Sequence, residues 1–462
     1  MTEDLTRWTI GGLSEALRKR ELSPVELTDT LLARIETHDP LLRAYITVDR
    51  EGALAAAREA EEELAAGRPR GPLHGVPIAY KDLYETRGLR TTSGSKIYRD
   101  HLPAEDATSV ARLREAGAVC LGKLNMHEFA FGPTGLNAHY GNARNPWDPE
   151  RIAGGSSSGS GSAVAALLAL AALGTDTGGS IRIPAACCGV VGLKPTYGRV
   201  SRAGVVPLSW SMDHVGPLAR CAEDAALLLD ALAGHDPRDP TSSRRPVPHY
   251  RAALGEGLDG LRVGVPRSYF FEALDPEVEA ALERALGHLQ AAGAGLEEVS
   301  FPHIEEIQAG GYVILLSEAA AFHTPLMDER GEDYDPSVRS RLEEGRFFLA
   351  TDYIHALQVR PALTRAVLRE VFGRVDVVAT PTLPILPPPI GATEVEVRGR
   401  RYDAVASLIR FTRPANYLGF PALSLPCGWS AGGLPVGLQL LGLPRQEGVL
   451  LRAAHAYEVA SG

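Results

Sequence analysis

The chain has 462 residues, 45% of them hydrophobic and 23% charged, with a formal net charge of −10. This is globular composition with enough apolar surface for a large core, and its acidic balance excludes a global electrostatic footprint for nucleic acid or an anionic membrane. The longest apolar run, Ala163 to Leu173, is too short to span a bilayer, and five cysteines, an odd number in a long chain, imply no disulfide framework.

The opening Met1-Thr2-Glu3-Asp4 is acidic where a secretory leader is basic, so a reducing cytoplasm is expected, with Cys187 and Cys188 as small core residues. About the first seventy residues read as helical. Ser23-Pro24-Val25-Glu26 is a capping-box start with proline at the first helical position, and Leu27, Leu31, Leu32 and Ile35 share one face. A second helix spans Ala53 to Leu64. His74 to Tyr80 is a short apolar run that delivers Lys81-Asp82 at its end, and Ala107 to Ala116 is helical before the strand Ala118 to Leu121.

Strands follow at Leu261 to Val265, Gly295 to Phe301, Val375 to Ala379, Ala422 to Leu425 and Val436 to Leu441. A helix at Pro276 to Ala292 and a terminal one from about Glu447 accompany them. Alternating helices and buried strands predict an α/β fold, one large domain over residues 1–462 with a central mixed β-sheet covered by helices on both faces. Within it, residues 71–220 form the expected catalytic core. Gly234 to Tyr250 is polar and read as a surface excursion between strands of one sheet, and the proline-rich Thr380 to Gly391 as an extended loop.

Only five of the 47 basic residues are lysine, and four of these, Lys81, Lys96, Lys123 and Lys194, lie between positions 81 and 194. Arginine replaces lysine on a surface but cannot lose its proton to act as a base. A lysine kept in so arginine-rich a chain is a candidate for proton transfer or close-packed polar work.

Residues 154–162 consist entirely of glycine and serine. In isolation this is a flexible linker, but it runs without a break into an Ala/Leu segment too apolar for a linker's edge. A Gly/Ser loop opening a buried helix offers free backbone N–H groups and hydroxyls to an oxyanion. The second cluster, Gly174-Thr175-Asp176-Thr177-Gly178-Gly179-Ser180, puts two glycines before a serine, so that successive N–H groups converge near its oxygen. A helix over 160–172 is ~20 Å long, and an extended return of ~23 Å brings Ser180 back towards the loop that holds Ser156.

In these blocks, together with Gly75 to Asp82, Gly189 to Thr196, Asp213 to Pro217, Pro414-Ala415-Asn416 and Leu434 to Gln439, the chain resembles the amidase signature family of Ser-Ser-Lys hydrolases over nearly its whole length. The resemblance implies Ser180 as acyl-forming nucleophile, Ser156 as a bridging serine held on a cis peptide, and Lys81 as general base. It implies an oxyanion hole from the backbone of Thr177, Gly178, Gly179 and Ser180. No cofactor or metal is implied; the expected partner is a small-molecule amide, with neither nucleic acid nor membrane, and a homodimer is common among relatives. Ser158 stands where the family has glycine, adding a hydroxyl beside the site.

As a base, Lys81 needs a pKa near 7 rather than ~10.4, which burial supplies; strand alternation turns Asp82 to the other side. Asp176 and Arg182 are expected to fix the loop. His127, His139 and His214 are the fallback bases, and Met126, Phe129, Phe131 and Trp210 are candidates for an apolar acyl pocket.

Three functions compete: a stand-alone amidase, the A subunit of a transfer-RNA amidotransferase liberating ammonia for a partner, and a silent binding protein. Leu316 to His323 and Met126-His127-Glu128-Phe129 depart from the pattern of that amidotransferase chain, so the stand-alone amidase is the expectation.

Overall fold

The structure, a computed structural model, describes residues 5–462. Met1 to Asp4, read above as unlike a secretory leader, lie outside the described residues.

The strands are β1 (Tyr45–Val48), β2 (Pro77–Lys81), β3 (Val119–Leu124), β4 (Ala171–Asp176), β5 (Val191–Lys194), β6 (His214–Ala219), β7 (Arg262–Val265), β8 (Gly295–Glu298), β9 (Val377–Pro381), β10 (Glu394–Val397), β11 (Arg400–Asp403), β12 (Ala422–Trp429) and β13 (Pro435–Gly442). Eleven of them form one sheet in the order β1-β3-β2-β4-β6-β5-β12-β13-β9-β7-β8, while β10 and β11 pair as a separate hairpin. The sheet is mixed, as expected: β2 runs parallel to β3 and β4, β7 runs parallel to β8 and β9, and the other pairings are antiparallel. Helices flank it.

The helix Pro24–Leu42 starts as its sequence dictates. Ser23 Oγ accepts from the amides of Val25 and Glu26, each at 3.2 Å, and Leu27, Leu31, Leu32 and Ile35 are buried on one face. The helical reading of the first seventy residues misses β1. Asp39 turns its carboxylate onto the amides of Ala44 and Tyr45, which ends the helix and frees the next four residues to pair antiparallel with β3.

The predicted helix over 160–172 is also corrected. It runs only Ser158–Ala165, and β4 already begins at Ala171. The Nε and Nη2 of Arg34 bind the carbonyls of Leu167 and Ala166, and Leu167 takes a positive φ of 54°, so the chain turns early. An Ala/Leu run suits either a buried helix or a buried strand, and pairing with β2 and β6 decides for strand. The excursion Gly234 to Tyr250 does connect parts of one sheet, since β6 precedes it and β7 follows.

Candidate active site

β2 lies between β3 and β4 with all five of its residues buried, and its last residue is Lys81. The lysine Nζ donates to Ser156 Oγ at 2.6 Å and to Thr175 Oγ1 at 2.8 Å. Asp82 faces elsewhere, as alternation requires: it accepts from the Thr92 amide at 2.9 Å and lies 3.6 Å from Lys123 Nζ.

The all-glycine-and-serine segment is buried along its whole length. Ser157 Oγ donates to the Thr175 carbonyl and accepts from the Thr175 amide, and Ser160 Oγ donates to the Leu173 carbonyl. These hydroxyls lace the loop to β4 and so set Ser156 beside Thr175. Gly154 and Gly155 make the entering turn at φ of 79° and 63°. No peptide bond among the described residues is cis, so the cis bond suggested by the family resemblance is not found here. Ser158 points its hydroxyl at the Gly135 carbonyl, 3.5 Å away, and the adjoining Gly135 is where a Cβ would collide with it.

β4 then leads into the turn that carries Ser180. Gly179, at φ 136°, lies against Thr412: a Cβ there would come within 2.2 Å of the threonine hydroxyl, which itself donates to the Gly178 carbonyl at 2.6 Å. Only glycine allows that approach. Among the described residues, the amides of Thr177, Gly178, Gly179 and Ser180 donate no hydrogen bond within the chain. They are therefore free for a ligand oxyanion. Ser180 is 8% exposed, and its hydroxyl likewise makes no hydrogen bond with described residues. It opens on a cavity of about 170 Å³. The structure thus brings Lys81 and Ser156 into direct contact, while Ser180 faces the ligand space.

Asp176 and Arg182 hold this turn. Both are fully buried; the guanidinium meets the carboxylate at 3.0 and 2.8 Å and also binds Asn416, Gln439 and the Thr412 carbonyl. Burial alone raises a carboxyl pKa, yet the Arg182 charge and the hydrogen bonds hold Asp176 well below the usual carboxylate range.

Burial pushes the Lys81 amine down to about 7, against the opposing pull of Asp213 and Asp176. Burial likewise raises the Asp213 carboxyl to about 6, although Thr177 Oγ1 and the amides of Leu208 and Ser209 donate to it. The fallback bases are placed less well. Burial drops His127 to about 3, with neither ring nitrogen hydrogen-bonded among the described residues, and it holds His214 far below neutrality. His139 Nε2 lies 2.9 Å from Glu128.

Of the expected pocket residues, Phe131 lines the Ser180 cavity, Trp210 lines a neighbouring one of about 230 Å³ with Thr175 and Thr177, and Met126 and Phe129 are core. Sequence reasoning missed Thr175 as a lysine partner, although it stands inside the quoted glycine cluster. It also missed Tyr312, Arg341 and Arg413 in the Ser180 cavity; the first two come from remote segments with no motif, whereas Arg413 directly precedes the quoted Pro414-Ala415-Asn416 block.

The family model described as Amidase matches residues 26–451. Among curated proteins, the chain is 44% identical over 476 residues to the A subunit of the glutamyl-tRNA(Gln) amidotransferase of Roseiflexus sp., covering 98% of this chain and 96% of that one. It is 45% identical to the corresponding amidotransferase chain from Moorella thermoacetica, covering 97% and 96%.

Solved structures give a wider view. A chain of a vestigial protein complex related to an s-triazine catabolic enzyme superposes with TM-score 0.94 at 38% identity, covering 98% of each chain. A crystal structure of an amidase gives 0.89 at 39%, over 98% of this chain and 99% of that one. The A subunit of the Thermotoga maritima glutamyl-tRNA(Gln) amidotransferase gives 0.82 at 36%, over 99% and 96%. The curated relatives therefore do not favour the stand-alone amidases over the amidotransferase, as the sequence motifs had suggested. What all these relatives have in common with the chain is the fold and the family: it belongs to the amidase family.

Proposed function

We propose that this chain cleaves a small carboxamide through an acyl-enzyme on Ser180. The observation that carries the reading is the buried Lys81–Ser156 hydrogen bond, together with Ser180 lining a cavity on the turn that follows β4. Lys81, increasingly neutral as pH rises through about 7, accepts the Ser156 proton as Ser156 accepts the proton of Ser180. The Ser180 oxygen attacks the amide carbonyl, and the amides of Thr177 to Ser180 receive the oxyanion. The protons return through Ser156 to the leaving nitrogen, which departs as ammonia or an amine. Water activated by the same relay then releases the acid. Ser180 is not yet bonded to Ser156, and catalytic hydrogen bonds of this kind tighten in the substrate complex.

Two settings suit that chemistry. The curated relatives favour an amidotransferase A subunit that supplies ammonia from glutamine. The departures at Leu316 to His323 and at His127 favour an enzyme working alone. The purified chain is to be assayed on glutamine and on simple amides, with and without the remaining subunits of a transfer-RNA amidotransferase. Turnover by the chain alone supports independent action. Turnover that appears only with those subunits and transfer RNA assigns it to the complex, and no Ser180-dependent turnover in either setting overturns the reading.

A further inference from the structure

The Ser180 cavity has an unusual charge inventory. Its walls include the guanidinium groups of Arg341 and Arg413, and Glu344 is the only carboxylate among them. Arg413 is 8% exposed. Among the described residues no carboxylate lies within salt-bridge distance of it, its Nε has no hydrogen-bond partner, and the guanidinium rests 5.4 Å from the centre of the Tyr312 ring. Arg341 differs: it is only partly buried, donates to the Phe131 carbonyl at 2.7 Å, and feels the carboxylates of Asp335, Asp403 and Glu344, although none among the described residues lies within salt-bridge distance. Glu344, at the exposed rim, already accepts the Tyr312 hydroxyl at 2.6 Å.

An arginine buried without an anion is costly unless something else supplies the charge. Burial lowers the pKa of both guanidinium groups, Arg413 to about 10, so Arg413 stays cationic at neutral pH. Arg413 is also anchored to the reaction centre. The preceding residue, Thr412, donates to the Gly178 carbonyl and accepts from Arg182, which ties the arginine to the nucleophile turn. Arg413 and Ile409 also line a second cleft of about 740 Å³, where Arg400 and Arg410 join Arg413 against Glu272 and Asp403, while Arg398 is paired with Glu279. On a chain of net charge −10, that leaves a small local excess of positive charge beside the site.

We propose that the acyl half of the substrate ends in a carboxylate with no compensating ammonium, and that Arg413 is the residue that selects for it. The inference rests on Ser180 being the acylated serine. The compact cavity suits a short chain, with the amide carbonyl at Ser180 and the carboxylate at the guanidinium groups. A neutral acyl chain would leave the Arg413 cation unpaired. An amino-acid amide would bring an ammonium towards that cation, with only the rim carboxylate to receive it.

The test compares the monoamide of glutaric acid with butanamide and with glutamine, in the wild type, Arg413→Met and Arg413→Lys. The monoamide is expected to exceed butanamide in kcat/KM on the order of 100-fold in the wild type, and to exceed glutamine as well. The preference over butanamide should fall below about tenfold in Arg413→Met, chiefly through KM, with partial recovery in Arg413→Lys. Removing an unpaired buried charge should leave Arg413→Met folded, with Tm unchanged or raised.

Glutarate binding to Ser180→Ala, read by calorimetry, tests the charge site without turnover; it should be lost in Ser180→Ala/Arg413→Met. Equal rates on the monoamide and butanamide, a wild-type preference for glutamine, or glutarate binding that survives Arg413→Met overturns the proposal. Glutarate bound through Arg413 without hydrolysis of any amide keeps the charge site and removes the hydrolytic reading. Hydrolysis without charge preference does the reverse.

Discussion

Lys81 Nζ lies 2.6 Å from Ser156 Oγ, and its two hydrogen-bond partners among the described residues are both hydroxyls. A fully buried amine with no carboxylate bonded to it has lost much of its hydration without gaining an ion pair, which is why burial brings its pKa to about 7. The lysine is thereby suited to accept a proton near neutrality.

Lys81→Arg preserves the charge but cannot accept that proton. It should lose several orders of magnitude in kcat/KM, whereas Lys96→Arg, at a half-exposed position paired with Asp333, should cost little. In the wild type kcat/KM should rise with pH through about 7 and then level off. A pH profile of Lys81→Arg that keeps most of the activity would make Lys81 a structural cation.

The same shift has a stability cost of definite sign. Lys81 has its pKa lowered on folding, to about 7 from 10.5. Between those values the unfolded chain binds the proton and the folded chain does not. Stability therefore rises with pH across that window, and the deficit is fully present below about 7. Lys81→Met removes the titration, so it should unfold at a higher denaturant concentration than wild type at pH 7 and lose that advantage towards pH 10.5. A midpoint difference independent of pH would show that the amine is not desolvated as described.

Thr175 holds the other side of the lysine. Thr175→Val removes an acceptor that favours the ammonium form, so the alkaline-rising limb of kcat/KM should move to lower pH. With the amine less well oriented, kcat should fall about tenfold. A Val variant with an unmoved pH profile would assign Thr175 to packing alone.

Ser180→Ala should abolish acyl-enzyme formation and covalent labelling by a fluorophosphonate while leaving the unfolding midpoint near that of wild type, since the hydroxyl makes no hydrogen bond with described residues. Mass spectrometry of the labelled wild-type chain should locate the adduct at residue 180. An adduct elsewhere, with activity retained in Ser180→Ala, would remove the nucleophile assignment.

Asp176→Ala should behave in the opposite manner. It leaves Arg182 buried without its carboxylate, and breaking a buried pair in this way costs about 3–5 kcal/mol. Urea unfolding should show that loss directly. A loss under about 1 kcal/mol would mean that Asn416 and Gln439 suffice to hold the guanidinium.

The local backbone around the proposed site residues was legible from sequence. Lys81, Ser156 and Ser180 each stand in a compact block whose neighbours dictate its backbone: an apolar run ending in lysine, a glycine–serine loop entering a buried helix, and two glycines before a serine. The scarcity of lysine was informative in a broader way than expected. Lys123 and Lys194, like Lys81, are buried, donating to the carbonyls of Tyr84 and Phe420 respectively, and only Lys96 of the four is at the surface.

The alternation of helices and strands was enough for the mixed α/β sheet, because period and burial are local properties. Its short elements were not legible. β1 exists only because Asp39 stops a helix and β3 offers an edge, and β4 begins where Arg34 ends another helix. The charge of the Ser180 cavity was not legible either. Arg341 and Arg413 come from separate helices, Pro336–Gly345 and Arg413–Leu418, and only the second adjoins a quoted block, Pro414-Ala415-Asn416, which says nothing of the cavity. Their placement on one cavity with Ser180 follows from packing between distant segments, which no local pattern encodes.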